Sequence, residues 1–137
     1  MNIGILGTGI VGNTIGTKLV QLGNKVMMGS RTADNNKAGL WVTAAGKGAL
    51  QGTFADAAKF GDILFNCTQG KVSIEALTLA GKENLKGKIL IDLSNPLDFS
   101  KGMPPSLTVC NTDSLGEQLQ REFPETKVIK TLNTVVY

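Results

Sequence analysis

The sequence contains no histidine. Ser-His-Asp and Cys-His catalysis, HExxH metal sites and imidazole proton shuttles are therefore excluded within this chain. Its two cysteines, Cys67 and Cys110, stand far apart and form no CxxC pair. Zinc and dithiol redox motifs have no support, and no metal is expected. Lysine and arginine are scattered rather than gathered into a run that would track a nucleic-acid backbone. The net charge of +3 suits an anionic small molecule, with no nucleic-acid partner expected. No apolar stretch reaches the ~18 residues that a membrane span needs. Met1-Asn2 runs directly into Ile3-Gly4-Ile5-Leu6 without a cationic leader. The expectation is a cytoplasmic chain with no membrane partner.

Glycine, in contrast, is plentiful, at 17 of 137 residues. A hydrophobic share of 42% and a charged share of 18% are those of a globular domain rather than a disordered one. This length can bury ~70% of the unfolded surface, and residues 1–137 read as a single domain. Ile3 to Leu6 is a short apolar run of strand type ending at glycines. Val11, Ile15, Leu19 and Leu22 then fall at helical spacing, with Gly23 where a C-terminal cap belongs. Lys25 to Met28 reads as a second strand. Asp34 is placed to cap a helix reaching about Ala45, with Trp41 as a packing residue, and a weak strand follows near Ala49 to Gly52.

Thr53 and Asp56 have capping-box spacing ahead of a short helix to Phe60, in which Phe54 packs. Asp62 to Cys67 is a buried strand, and Val72, Ala76, Leu79 and Ala80 mark the next helix. Lys88 to Leu93 is a strand broken by Asn95-Pro96, and a loop holds Pro104-Pro105. Ser114 and Glu117 have the spacing of a second capping box, and Lys127 to Leu132 is the last strand. Strand and helix alternate throughout, and the best strands are continuous apolar runs. This is the pattern of an α/β fold with a doubly wound parallel sheet.

Gly7-Thr8-Gly9-Ile10-Val11-Gly12 matches GxGxxG in its required context, after a strand and opening a helix. Gly7 permits the tight turn, Gly9 leaves room for a pyrophosphate, and Gly12 lets the helix approach the sheet. Amides of Thr8, Ile10 and Val11 face the phosphates, helped by the positive end of the helix dipole. The fold expected is therefore the Rossmann NAD(P)-binding fold. NAD-binding domains usually carry Asp or Glu at the end of the second strand, on the ribose hydroxyls. Here that place reads Gly29-Ser30-Arg31-Thr32. Arg31 can pair with a 2′-phosphate while Ser30 and Thr32 donate hydroxyl hydrogen bonds, and Lys37 is a further partner. NADP(H) is the cofactor expected.

Ligands of such sheets bind outside the carboxyl ends of the strands. Cys67-Thr68-Gln69, Ser94-Asn95-Pro96 and Asn133 are left there for the nicotinamide end. Cys67 reads as a buried structural thiol, since no base stands beside it. Asp92 reads as a satisfied structural carboxylate.

These segments, with Asp92-Leu93-Ser94-Asn95-Pro96-Leu97 and Lys130-Thr131-Leu132-Asn133-Thr134, occur in an order that resembles the NADP oxidoreductases dependent on the deazaflavin coenzyme F420. The resemblance implies hydride transfer between NADP(H) and F420, a flavin or a similar small-molecule acceptor or donor, with F420 as second substrate. It implies that Thr8, Ser30 and Arg31 hold NADP, and that Asn95-Pro96 and Leu132-Asn133 border the nicotinamide. It names no catalytic acid or base, because positioning two rings supplies much of the catalysis. Family members usually run further than Val135-Val136-Tyr137, so a short or truncated chain is expected. A non-catalytic NADP(H)-binding module or sensor and a NAD-linked dehydrogenase stand as alternatives. The open sheet edge after Tyr137 adds a homodimer as an expectation.

Overall fold

The structure is a computed structural model and describes residues 1–135. Strand β1 (Asn2–Leu6) leads to helix α1 (Ile10–Gln21), then β2 (Lys25–Ser30), α2 (Asn36–Ala45) and β3 (Ala49–Thr53). The chain continues through α3 (Phe54–Phe60), β4 (Ile63–Asn66), a single 3-10 turn at Gly70–Val72, α4 (Ser73–Ala80), α5 (Lys82–Leu85) and β5 (Ile89–Asp92). It closes with β6 (Leu97–Asp98), β7 (Ser106–Leu107), α6 (Leu115–Glu122) and β8 (Lys127–Lys130).

Six strands form one parallel sheet in the order β3-β2-β1-β4-β5-β8. The chain starts at the centre, winds outward through β2 and β3, and crosses back to β4. That reversal beside β1 is the switch point at which such sheets bind ligands. This is the doubly wound Rossmann fold expected from the sequence.

Alternation along the strands divides the core into two layers. Ile3 and Ile5 of β1 join Val26, Met28 and Trp41 under α1 and α2. Leu6 joins Leu64, Leu77, Leu90, Leu119 and Phe123 under α3 to α6. Trp41 and Phe54 are both core residues, and the indole N–H of Trp41 donates to Thr17 Oγ1 at 3.1 Å. That bond satisfies the one polar atom of the buried ring.

Helix ends follow local chemistry. Thr53 and Asp56 form both bonds of a capping box. Gly23, at φ 84°, ends α1 and bonds back to Val20 O. Two caps differ from expectation. Asn35, not Asp34, caps α2, with its side chain accepting from the Ala38 amide at 3.1 Å. An amide oxygen caps as well as a carboxylate, so adjacent Asp and Asn are not separated by propensity. Ser114 accepts from the Glu117 amide, but its own amide donates to Asp113 Oδ1 at 2.9 Å, so that box is one-sided. The loop around Pro104-Pro105 contains an antiparallel pair, β6 with β7. Val136 and Tyr137, beside the expected open edge, lie outside the described residues.

Candidate nucleotide-binding site

The turn after β1 depends on two glycines for different reasons. Gly7 sits at φ 115°, and a Cβ there would lie 2.8 Å from the Cys67 carbonyl oxygen. A Cβ on Gly12 would lie 2.5 Å from Gly7 O. Both positions are closed to other residues by the protein's own backbone. Gly9 is unlike them. Its backbone, at φ −79° and ψ −177°, suits any residue. A Cβ there would meet nothing within 4 Å. The fold does not require glycine at position 9; what the missing side chain leaves clear is the space in front of α1.

That space faces an uncapped helix. Gly9 is the N-cap and offers no side-chain bond, the first turn holds no acidic residue, and Asn13 is the first amide bonded along the helix, to Gly9 O. The preceding amides and the positive dipole end therefore form an anion cradle. Thr8, Gly9 and Ile10 line a cleft of about 580 Å³ between α1 and α2, with Asn13, Lys37 and Trp41 on its other sides. Lys37 is thereby brought to the same cleft as the glycine turn, while Val11 faces a second cavity.

At the end of β2, Ser30 is buried and its hydroxyl donates to Thr32 O at 2.6 Å. The same oxygen accepts from the Thr32 amide at 3.2 Å. The hydroxyl expected to meet a phosphate instead shapes the turn that carries Arg31. Arg31 and Thr32 are exposed. The Arg31 guanidinium lies 3.4 Å from Glu75 Oε1, a partner on α4 that the sequence reading did not contain.

The ends of β4, β5 and β8 are tied together. Asn66, Asp92 and Lys130 are register partners on the three strands. Asp92, fully buried, accepts from Asn66 Nδ2 at 2.8 Å, Ser94 Oγ at 2.7 Å and Lys130 Nζ at 2.9 Å. Lys130 also donates to Ser94 O. Asn66 Oδ1 accepts from Thr68 Oγ1 at 2.7 Å. The expectation that Asp92 is a satisfied structural carboxylate holds. Ser94 and Thr68, expected to offer hydroxyls to a ligand, turn them inward to this network, because a buried carboxylate and amide must be satisfied. Cys67 lies against the glycine turn, and burial, with the Asp92 charge adding, pushes its thiol up to about 12. It is a structural thiol.

Further out, Asn95 and Asn133 clasp one another. Asn95 Nδ2 donates to Asn133 O at 2.7 Å, and Asn133 Nδ2 donates to Asn95 Oδ1 at 3.1 Å. Buried Pro96 follows, and the Gly70 amide donates to Asn95 O at 3.1 Å. Gln69 is exposed at the start of the 3-10 turn. Asn95 and Asn133 border a cavity of about 230 Å³ whose apolar walls include Val11, Ile15, Leu93 and Leu132. The glycine turn and Lys37 thus line one cavity and Asn95 and Asn133 a second, with Thr14 common to both, while Arg31 lines neither; the Ser30, Thr68 and Ser94 hydroxyls turn to the protein's own groups. Polar residues closing apolar strands were the signal for Asn66 and Lys130.

Among the described residues, no group of three or more Cys, Asp or Glu side chains could hold a metal ion. No helix among them is long and apolar enough to cross a membrane.

Comparison with known proteins matches residues 2–96 to the family described as NADP oxidoreductase, coenzyme F420-dependent. A crystal structure from Arthrobacter sp. FB24, assigned as an F420-dependent NADP-reductase, is 50% identical with a TM-score of 0.91. The match covers 99% of this chain and 64% of that one. The metalloreductase STEAP3 of Rattus norvegicus is 31% identical over 97% of this chain and 24% of its own length. An imine reductase of Aspergillus terreus, solved with NADPH4 and dibenz[c,e]azepine, shares the fold at 22% identity and a TM-score of 0.67, over 94% of this chain and 39% of that one. The chain therefore spans less than two thirds of the length of these relatives.

Proposed function

The chain belongs to the family of coenzyme F420-dependent NADP oxidoreductases, and we propose that it binds NADP(H) across the carboxyl ends of its central strands and transfers hydride between the nicotinamide and a deazaflavin (F420), flavin or similar acceptor. The observation that carries this reading is Gly9, whose absent side chain leaves an open cradle before an uncapped helix end.

The residues divide the work. Amides at the start of α1 bind the pyrophosphate. Arg31 takes the 2′-phosphate, with Lys37 and the Thr32 hydroxyl nearby and no carboxylate between Gly29 and Thr32 to repel it. Thr8 and Gln69 flank the phosphates and ribose. Asn95 and Asn133 hold the nicotinamide end, and the Asp92 network fixes the strand ends that carry them. The apolar cavity beside Asn133 receives the acceptor ring. NADP(H) held by these residues would supply or take up the hydride, with the deazaflavin, flavin or similar acceptor as its partner. The protein's contribution is to hold two rings at transfer distance and to exclude water from between them.

A second reading, a non-catalytic NADP(H)-binding module, draws on one observation. Leu132 and Val135, at the outer wall of that cavity, are exposed among the described residues. NADPH oxidation, followed by its near-ultraviolet absorbance with F420 and with FMN in turn, separates the two. Turnover with either acceptor supports the oxidoreductase. Tight NADPH binding without turnover against any acceptor supports the binding module.

A further inference from the structure

We propose that Glu75 is a specificity-determining residue of the nucleotide site, because its carboxylate competes with the 2′-phosphate for Arg31. This rests on the reading of the site given above. Arg31 directly follows β2, and Glu75 lies in the first turn of α4, which follows β4. In the sheet, β1 lies between those two strands. The pair therefore reaches across the end of β1, joining the two walls that flank the glycine turn. Strands two places apart stand ~10 Å from one another, a span that one arginine and one glutamate can close.

The contact is built to exchange. Nε and Nη2 of Arg31 both approach the same oxygen, Glu75 Oε1, at 3.4 Å, so the guanidinium does not engage both carboxylate oxygens. Both side chains are more than half exposed. An exposed ion pair of this length is weak and screened by salt. A phosphate dianion offers three oxygens and a higher charge to the same fork, and it wins. Once Arg31 has moved to the phosphate, Glu75 has lost its partner, and the free energy of that contact is subtracted from NADPH binding. NADH carries no 2′-phosphate and leaves the pair intact. Glu75 therefore lowers affinity for NADPH and not for NADH, and it dampens the preference that Arg31 creates.

The test is a cycle of Glu75→Gln, Arg31→Ala and the double variant, titrated with NADPH and NADH at low salt. Glu75 is exposed, so the glutamine variant keeps the fold. Glu75→Gln tightens NADPH about two- to five-fold, the scale of a surface ion pair, leaves NADH unchanged, and loses its effect in the Arg31→Ala background. Equal tightening of both nucleotides, no change for NADPH, weaker NADPH binding, or a gain that persists without Arg31 would each overturn the proposal. A different outcome, Arg31→Ala weakening NADPH and NADH alike, would remove the underlying 2′-phosphate reading instead.

Discussion

Replacing Gly9 by valine separates a phosphate cradle from an ordinary glycine turn. In the folded chain the new Cβ meets no protein atom within 4 Å, and the backbone angles of residue 9 are ones that valine adopts. The loss of a favoured N-cap residue is then the main cost, so stability falls by less than ~1 kcal/mol. The side chain occupies the space before the α1 amides. A pyrophosphate held off by one methyl layer forfeits about two charge-assisted hydrogen bonds of ~1.5–3 kcal/mol each. Binding of NADPH and NADH alike should weaken by ~3–6 kcal/mol, at least 100-fold. Isothermal titration calorimetry reads the affinity, and thermal unfolding of the unliganded protein reads the stability. The matching changes at Gly7 and Gly12 should unfold the protein, since their Cβ atoms would strike backbone. Undiminished nucleotide binding by Gly9→Val would refute the reasoning.

Arg31→Ala should weaken NADPH by ~1.5–3 kcal/mol and leave NADH nearly unchanged; equal losses in a paired titration would sink the assignment. Lys130→Met removes the cation from buried Asp92. Breaking a buried pair costs about 3–5 kcal/mol, but the Lys130 side chain is 31% exposed, so urea denaturation should show a loss of about 1–3 kcal/mol, and a change below ~0.5 would contradict the network's role. A maleimide at pH 8 should label exposed Cys110 and spare Cys67, as read by peptide mass spectrometry, because the Cys67 thiol is pushed up to about 12. That thiol ionises near 9 in the unfolded chain, so its contribution to stability is complete below pH 9 and is lost as pH rises toward 12. Stability curves of wild type and Cys67→Ala that stay parallel across that range would count against it.

Local signals made the centre of the fold legible. The apolar run, the spaced glycines and the change to helical period marked β1, its turn and α1, and the doubly wound parallel sheet followed from the alternation of elements; the strand order came from the structure. Elements too short for a period escaped, as with the four residues of α5 and the two-residue strands β6 and β7. The direction of a hydroxyl was not legible either. A serine or threonine after a strand can meet a ligand or bond to neighbouring backbone and side chains. Ser94 turned inward because Asp92 is buried beneath it, and Asp92 is satisfied because β8 brings Lys130 into register from 38 residues away. Glu75 is likewise 44 residues from Arg31 in sequence, so only the folded sheet reveals the pair.

The most direct test of the account is a parallel titration of the wild-type protein with NADPH and NADH under identical salt. Charge-assisted bonds to a 2′-phosphate should make NADPH bind at least ~10-fold more tightly. Equal or tighter binding of NADH, or binding of neither nucleotide by a folded protein, would contradict it.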